Sequence, residues 1–423
     1  IMYARYAILQ SIDKLGSGLK NSKSFELMLQ SLKIKGLFGL YSYDLRFRVS
    51  DKDAITFITG PNGYGKTTIL SLIHALYAYD LDFLTTIPFK VLTFTFDGES
   101  GGIVEITQQR HVEQEDGSDM VPSSPIMLHI VFRKTSIKDT TLGEELDCFE
   151  VSSDDAIQWK GRESQLRLYM QSLPCYYIKD QRLQHKSASL KDEILPQQAT
   201  LPAVCDNAQE LQRELVRQQN RYNEIFQTPP PVTESASKEW ETAYDTLKTQ
   251  LQPVLDKLYR WELIKDNKIP KYDPQNRAIE VYLYQQKRAV ETISTFVRKL
   301  EVFEQVLNRS EFANKQMEIS PRFGYRFLAK DENRTILPCE GLSSGEQHIL
   351  IQTYELLFRA EEGSLTLIDE PELSFHLGWQ MDFLRNIREI MAIRNIQCIV
   401  GTHSPQVFDS KWDLSIDLYK PNT

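Results

Sequence analysis

The nonapeptide Gly60-Pro61-Asn62-Gly63-Tyr64-Gly65-Lys66-Thr67-Thr68 constrains this chain more than any other feature. It fits the spacing G-x-x-x-x-G-K-[ST], and its flanks supply the required context. Ala54 to Thr59 is a short apolar run that reads as a buried strand. From Thr67 to Tyr79, residues Ile69, Leu70, Leu72, Ile73, Leu76 and Tyr77 recur at helical spacing. Strand, glycine turn and helix in that order form a phosphate-binding loop: the glycines let the backbone wrap tightly, and successive N–H groups and the helix N-terminus face an anion. Gly60, Asn62, Gly63, Gly65, Lys66, Thr67 and Thr68 are therefore expected to hold a polyphosphate, with Lys66 as a mobile positive charge and Thr67 offering its hydroxyl to magnesium. A glycine turn that merely joined a strand to a helix would have no need of the Lys-Thr-Thr that follows.

At 423 residues the chain exceeds one ordinary compact domain, so a large nucleotide-binding core can carry an insertion or an attached unit. The hydrophobic share of 41% and charged share of 25% are those of a globular protein, and no unbroken apolar run of about 18 residues could span a bilayer. Ile1 to Gln10 lacks the pattern of a secretory signal, so a cytoplasmic protein without a membrane partner is expected. The five cysteines are dispersed and never form Cys-x-x-Cys, which indicates reduced thiols rather than a zinc site or a disulfide framework. The net charge of -9 is local: residues 97 to 155 hold 14 acidic and 4 basic side chains, a net of -10, leaving the rest near +1. That balance excludes a uniformly basic nucleic-acid footprint, and the acidic stretch reads as a solvated loop face.

Along the chain, Leu32 to Phe47 reads as a hairpin turning at Gly36 to Gly39. The alternating segments Val91 to Phe96, Ile103 to Gln108 and Ile126 to Phe132 suggest an antiparallel lobe beside a mainly parallel sheet. From Cys205 the texture becomes helical. One run is stopped by Pro229-Pro230-Pro231, a second covers about 237 to 264 with a kink expected at Pro253, and a third ends near Arg309. An apolar helix (345–360), a strand (365–369), a helix (375–393) and a last strand (396–401) follow. The expected class is α/β, divided into an N-terminal extension (1–30), a first lobe of the core (31–204), a helical insertion (205–309) and a second lobe (310–423).

Three further motifs bear on chemistry. Leu365 to Glu372 is a buried strand ending in Asp-Glu-Pro-Glu, and acids at the carboxyl edge of a parallel sheet lie beside bound nucleotide. Asp369 would hold the magnesium shell, while Glu370 would orient and deprotonate an attacking water. Leu342-Ser343-Ser344-Gly345-Glu346-Gln347 opens an apolar helix about 20 residues earlier. Ser343 and Glu346 there match a capping box, yet hydroxyls, a bare glycine and a helix N-terminus also make a second anion site. Gly401-Thr402-His403-Ser404 ends the last buried strand and would bring His403 to the same edge.

These motifs, in this order, resemble the ABC ATPases of the branch that includes the SMC, RecF, Rad-type break-repair and OLD-type proteins. The resemblance implies an ABC-ATPase head, an α/β P-loop fold with an antiparallel β lobe and a short inserted α-helical arm. It makes Leu342 to Gln347 the signature motif, with Ser343, Ser344, Gly345 and Glu346 meeting nucleotide, and His403 a switch histidine sensing the γ-phosphate. Glu372-Leu373-Ser374-Phe375-His376 becomes a D-loop in which Ser374 reaches a second subunit, and Gln181 a Q-loop ligand to the metal, with Gln108 and Gln109 as rivals. ATP and Mg2+ are the implied cofactors, ATP hydrolysis the implied activity, and an ATP-dependent head-to-head dimer, or a higher homo-oligomer, the implied assembly. Leu377 departs from the proline usual in these relatives, and the chain ends soon after His403, so a nuclease would be expected on another polypeptide. The short form is similar to ATPase subunits of prokaryotic anti-phage defence systems such as PARIS (AriA) and Septu (PtuA), which implies a separate effector protein. A DNA-maintenance ATPase gripping duplex DNA is the alternative, with Lys257, Arg260, Lys265, Lys268 and Lys271 as a candidate basic turn. A transporter engine fits less well, because about 100 helical residues stand between the Q-loop candidate and the signature.

Overall fold

The computed structural model describes residues 28–49, 53–98, 101–109, 125–134, 145–155, 163–179, 200–271, 273, 278–310, 312, 314–338, 341–373 and 375–419, excepting 228–238. The Q-loop candidate Gln181, the D-loop Ser374 and the N-terminal extension before residue 28 lie outside the described residues. In chain order the first strands are β1 (Met28–Leu37), β2 (Tyr41–Arg46) and β3 (Ile55–Thr59), followed by helices α1 (Lys66–Tyr77) and α2 (Leu81–Thr86). Then come β4 (Val91–Asp97), β5 (Gly102–Gln109), β6 (Met127–Lys134), β7 (Glu145–Ser152), α3 (Gln165–Gln171) and β8 (Cys175–Ile178). The helices α4 (Thr200–Gln227), α5 (Glu239–Arg260) and α6 (Ala278–Arg309) precede β9 (Lys315–Ser320), β10 (Gly324–Ala329) and β11 (Ile336–Leu337). Helix α7 (Ser344–Tyr354) runs into a π-helical turn at Glu355–Arg359; β12 (Leu365–Asp369), α8 (Leu377–Arg394), β13 (Gln397–Gly401) and β14 (Ser415–Asp417) complete the chain.

These elements form two compact units. The first comprises residues 23–182 and 355–423, and holds a parallel five-stranded sheet in the order β14-β3-β13-β12-β8 and an antiparallel six-stranded sheet in the order β2-β1-β4-β5-β6-β7. Helix α1 is apolar nearly all round, with Ile69, Leu70, Leu72, Ile73, Ala75 and Leu76 buried, as a helix covered on both sides must be. It lies against β8, β12 and β13, and shares one core with Leu32, Leu92, Phe94 and Ile130 of the antiparallel sheet. Burying each such side chain contributes about 1.5–3 kcal/mol, so the helix that follows the glycine loop is fixed from two directions. Gln397 adds a polar tie between the sheets: its Oε1 accepts from Leu29 N (3.0 Å), and its Nε2 donates to Leu29 O (2.8 Å) and Arg48 O (3.1 Å). The acidic stretch differs from its reading as a loop face in that residues 145–152 form β7, an edge strand with only Val151 fully buried. An edge strand needs one weakly apolar face, which leaves little alternation to read.

The second unit includes residues 183–354. Helices α4, α6 and α7 pack together, α5 lies along α6, and the small antiparallel sheet β11-β10-β9 rests against α4. Residues 315–354 lie in the same compact unit as these helices. The physical reason is the burial of α7, whose Ile349, Leu350, Ile351, Thr353 and Tyr354 are covered on several faces, and of Phe303 and Tyr325, whose rings meet 5.9 Å apart. Gly324 is indispensable to this packing. It sits at φ 76°, and a Cβ there would lie 1.8 Å from the carbonyl oxygen of Ala208 in α4. Pro253 does not end α5, which continues to Arg260.

Candidate functional site

The carboxyl edge of the parallel sheet collects the chemistry. Strand β3 delivers the chain into the glycine loop, where Gly60, Gly63 and Gly65 have φ of 148°, 85° and 89°, values that a Cβ makes costly. Helix α1 begins with no side-chain cap at Gly65 and no acidic residue in its first turn, and Ile69 N donates to Gly65 O at 2.8 Å. The amides of Lys66, Thr67 and Thr68 are thus the uncapped donors of a helix start, the local chemistry that suits an anion. Asn62, Gly63 and Thr67 are exposed, whereas Lys66 is 5% exposed, its stem covered by the loop. Tyr43 fastens the loop from the neighbouring hairpin, donating its hydroxyl to Tyr64 O at 2.9 Å.

Parallel pairing of β12 with β13 places Asp369 opposite Gly401, so the residues after each strand emerge side by side. Asp369 is buried, and its Oδ1 would be 3.1 Å from a Cβ at Gly401, which only glycine avoids. Glu370 follows with φ 45°, a left-handed conformation costing a non-glycine residue about 1 kcal/mol or more, and its N–H is held by Gly401 O at 2.8 Å. That turn directs its carboxylate to His403, whose Nε2 is 2.9 Å from Glu370 Oε1. On the other side of the ring, His403 Nδ1 is 3.1 Å from Lys66 Nζ, which also donates to Gly60 O (2.9 Å) and Pro61 O (3.4 Å). An ammonium has only donors, so Nδ1 accepts, and Nε2–H donates to Glu370. The ring is thereby the neutral Nε2–H tautomer, tying Lys66 to Glu370.

Burial pushes the Lys66 ammonium below its ordinary pKa, and Glu370, Asp369 and Glu372 oppose that by favouring the charged form. Glu372 stands behind His403: its Oε1 accepts from Thr402 Oγ1 (2.7 Å), His403 N (2.7 Å) and Ser404 N (3.2 Å). Sequence reading gave this third acid no role. The signal was present only as a repeated acid in Asp-Glu-Pro-Glu; the close approach of the two strand ends is a property of the sheet. Of the Q-loop rivals, Gln108 is buried, bonding to Phe89 N, Leu84 O and Ile87 O, and so secures the turn after α2.

Thr67 and Asp369 offer a hydroxyl and a carboxylate, the oxygen donors that suit magnesium. Among the described residues no group of three or more His, Cys, Asp or Glu is arranged to hold a metal ion. The phosphate loop, the Asp369-Glu370 pair and His403 are thus brought together within one unit.

The expected signature residues lie in the other unit. The capping box is formed there: Glu346 N donates to Ser343 Oγ (3.3 Å) and Ser343 N to Glu346 Oε2 (2.7 Å). Glu346, expected among the nucleotide ligands, is 3% exposed, and its oxygens receive Lys315 Nζ at 2.8 and 2.7 Å. It therefore braces the turn from beneath, and leaves the exposed Ser343 and Ser344 with Gly345 at the helix start.

Compared with known proteins, residues 28–408 match the family model described as "AAA ATPase domain". A 66-residue stretch is 38% identical to Protein ea59 of Escherichia phage lambda, an alignment that spans 16% of this chain and 13% of that protein. Among solved structures, the chain is similar to an Smc head domain from Pyrococcus furiosus with an extended coiled coil, bound to the C-terminal domain of ScpA (12% identity, TM-score 0.36). It is also similar to an SmcHead bound to the C-winged helix domain of ScpA (11% identity, TM-score 0.34); both likenesses cover 90% of this chain and 91% of the other.

Proposed function

This chain belongs to the AAA ATPase domain family and has the mixed α/β architecture of an ABC-ATPase head, and from that premise we propose that it is a magnesium-dependent ATP hydrolase working as a dimerising switch. The observation that supports this most is the chain of contacts from Lys66 through His403 to Glu370 at the mouth of the glycine loop. In this reading the glycine loop and the α1 N-terminus bind the β- and γ-phosphates, and Lys66 exchanges its carbonyl partners for phosphate oxygens. His403 then donates to the terminal phosphate, while Glu370, already turned into the site by its left-handed backbone, accepts a proton from the attacking water. Magnesium, when bound at Thr67 and Asp369, would offset charge on the phosphate oxygens. The partner subunit's Ser344 and Gly345 would close the site, and hydrolysis would reopen it, so that nucleotide changes partner affinity through contacts that differ between the two states.

On the strength of the motif resemblance, the switch is proposed to serve as the sensor subunit of a prokaryotic anti-phage defence system, controlling a separate effector such as a nuclease. The DNA-gripping alternative loses support at its candidate basic turn. There Lys257 is paired with Glu301 (2.6 Å) and Arg260 with Glu304 (2.5 Å), so two of the five cations already have carboxylate partners. No described helix is long and apolar enough to cross a membrane. The test is a pair of variants assayed for ATP binding, turnover and mass in solution. Lys66→Ala should lose tight ATP binding; Glu370→Gln should bind ATP, hydrolyse it on the order of 100-fold more slowly or worse, and accumulate as a dimer. Wild-type turnover in Glu370→Gln, or undiminished binding in Lys66→Ala, would remove the assignment.

A further inference from the structure

Glu372 spends one carboxylate oxygen on three donors of a single turn. Thr402 Oγ1 and the amides of His403 and Ser404 all point to Oε1, and Thr402 Oγ1 in turn accepts from Ser404 N at 3.0 Å. Successive N–H groups facing one way form an anion-binding concavity, and here the chain fills it with its own carboxylate. The other oxygen, Oε2, is buried with no hydrogen-bond partner among the described residues. Its enclosure, and the three donors on Oε1, leave Glu372 poorly placed to serve as a metal ligand. Glu372 itself sits in the turn that starts at Glu370, where Leu373 N donates to Glu370 O (3.2 Å) and Phe375 N to Glu372 O (2.9 Å). The 402–404 turn has further anchors on either side of His403, Thr402 N to Ile58 O at 3.1 Å and Ser404 Oγ to Gln380 Oε1 and Gln406 Oε1 at 2.7 Å each, while the histidine's own amide goes to Glu372.

We propose that Glu372 is a positioning residue for hydrolysis: it locks the 402–404 turn to the turn carrying Glu370, so that the His403 ring is held between Glu370 and Lys66. This rests on the ATPase reading above. It also makes the two turns one mechanical piece, so that a displacement of residues 370–373 moves His403 with them.

The experiment uses the full chain with Glu372→Ala, Glu372→Gln, His403→Ala and the double variant Glu372→Ala/His403→Ala. Amide hydrogen exchange reads the contact directly: the His403 and Ser404 amides should exchange about tenfold faster or more in Glu372→Ala, with α1 and β13 unchanged, and less so in Glu372→Gln, whose amide oxygen can still accept. In steady-state assays Glu372→Ala should lower kcat on the order of 100-fold with KM for ATP within about threefold, Glu372→Gln should recover part of the loss, and the double variant should be no slower than His403→Ala. Wild-type exchange in Glu372→Ala, or losses that multiply in the double variant, would overturn the proposal. A raised magnesium requirement in Glu372→Ala would overturn it too, by making Glu372 a metal ligand. If the wild-type chain itself hydrolyses no ATP, the parent reading fails, and the exchange measurement still decides whether Glu372 holds the turn.

Discussion

Replacing Lys315 with alanine should weaken the helical unit by about 3 kcal/mol, and the figure follows from how Lys315 meets Glu346. The two side chains are 17% and 5% exposed, and the ammonium donates to both carboxylate oxygens, at 2.8 and 2.7 Å. Removing one partner of a buried ion pair costs about 3–5 kcal/mol, because the surviving charge is left desolvated. Lys315 keeps some contact with water, and Glu346 would retain the N–H of Ser343, so the low end of that range applies. If the carboxylate instead swings out to solvent, the capping box goes with it, at a cost of about 1 kcal/mol, and Ser343 and Ser344 lose their fixed geometry. Urea unfolding followed by Trp261, which is buried in the same unit, reads the loss as a lower midpoint at unchanged slope. The exposed pair Arg217–Glu214 is the control, with Arg217→Ala expected to change stability by about 0.5 kcal/mol or less. The cycle Lys315→Ala, Glu346→Gln and both together should give a coupling of about 2 kcal/mol. A loss under about 1 kcal/mol for Lys315→Ala, or additive effects in the cycle, would refute the claim that this pair braces the turn.

Two other outcomes are expected. Gly324→Ala should cost about 3 kcal/mol or more, since its Cβ would meet the Ala208 carbonyl at 1.8 Å from a backbone already at positive φ; a midpoint within experimental scatter of wild type in thermal unfolding would contradict the close approach. Burial pushes the Cys398 thiol up to about 12, so the folded chain keeps a proton that the unfolded chain releases near pH 9. The stability it contributes is complete below pH 9 and falls by about 1.4 kcal/mol per pH unit from there toward pH 12. Denaturant titrations at pH 8, 9 and 10 should show this decline, and Cys398→Ala should shallow it; an unchanged slope in the variant would place the alkaline loss elsewhere.

What could be read in advance was whatever depends on local periodicity or on a fixed motif. The apolar run of β3, the spaced leucines of α1 and the glycines between them give the phosphate loop and its supports from neighbouring residues alone. The long helices were similarly legible, because each presents a repeated apolar face. Which elements residues 315–354 pack against is not legible from adjacency along the chain, because burial around α7 and the fit of Gly324 against α4 decide it. Buried glutamines escaped for another reason. Gln108 and Gln397 satisfy backbone groups from inside the core, and nothing in their own neighbourhood of sequence distinguishes such a residue from a solvated one or from a ligand. Glu372 belongs with them: its partners are 30 to 32 positions away, brought close only when β12 and β13 pair.

The charges assembled by that pairing set a condition on what may enter the site. Lys66 brings one positive charge, and Asp369, Glu370 and Glu372 are the acids that act on it, while His403 as the Nε2–H tautomer adds none. A triphosphate approaching this edge meets favourable amides at the start of α1 but also a surplus of carboxylate, and like charges at close range in a partly desolvated pocket repel strongly. Glu372 is already neutralised in part by the three donors it holds, and Glu370 by the ring N–H of His403. Asp369 is the buried acid at the end of β12, and in the proposed reading it would meet a magnesium ion arriving with the nucleotide. The same arithmetic explains why a histidine rather than a second lysine stands at position 403. A fixed cation there would pair permanently with Glu370 and draw its carboxylate away from the water it is proposed to activate, whereas a neutral imidazole holds that carboxylate through its single N–H, a weaker contact that can be given up to the terminal phosphate.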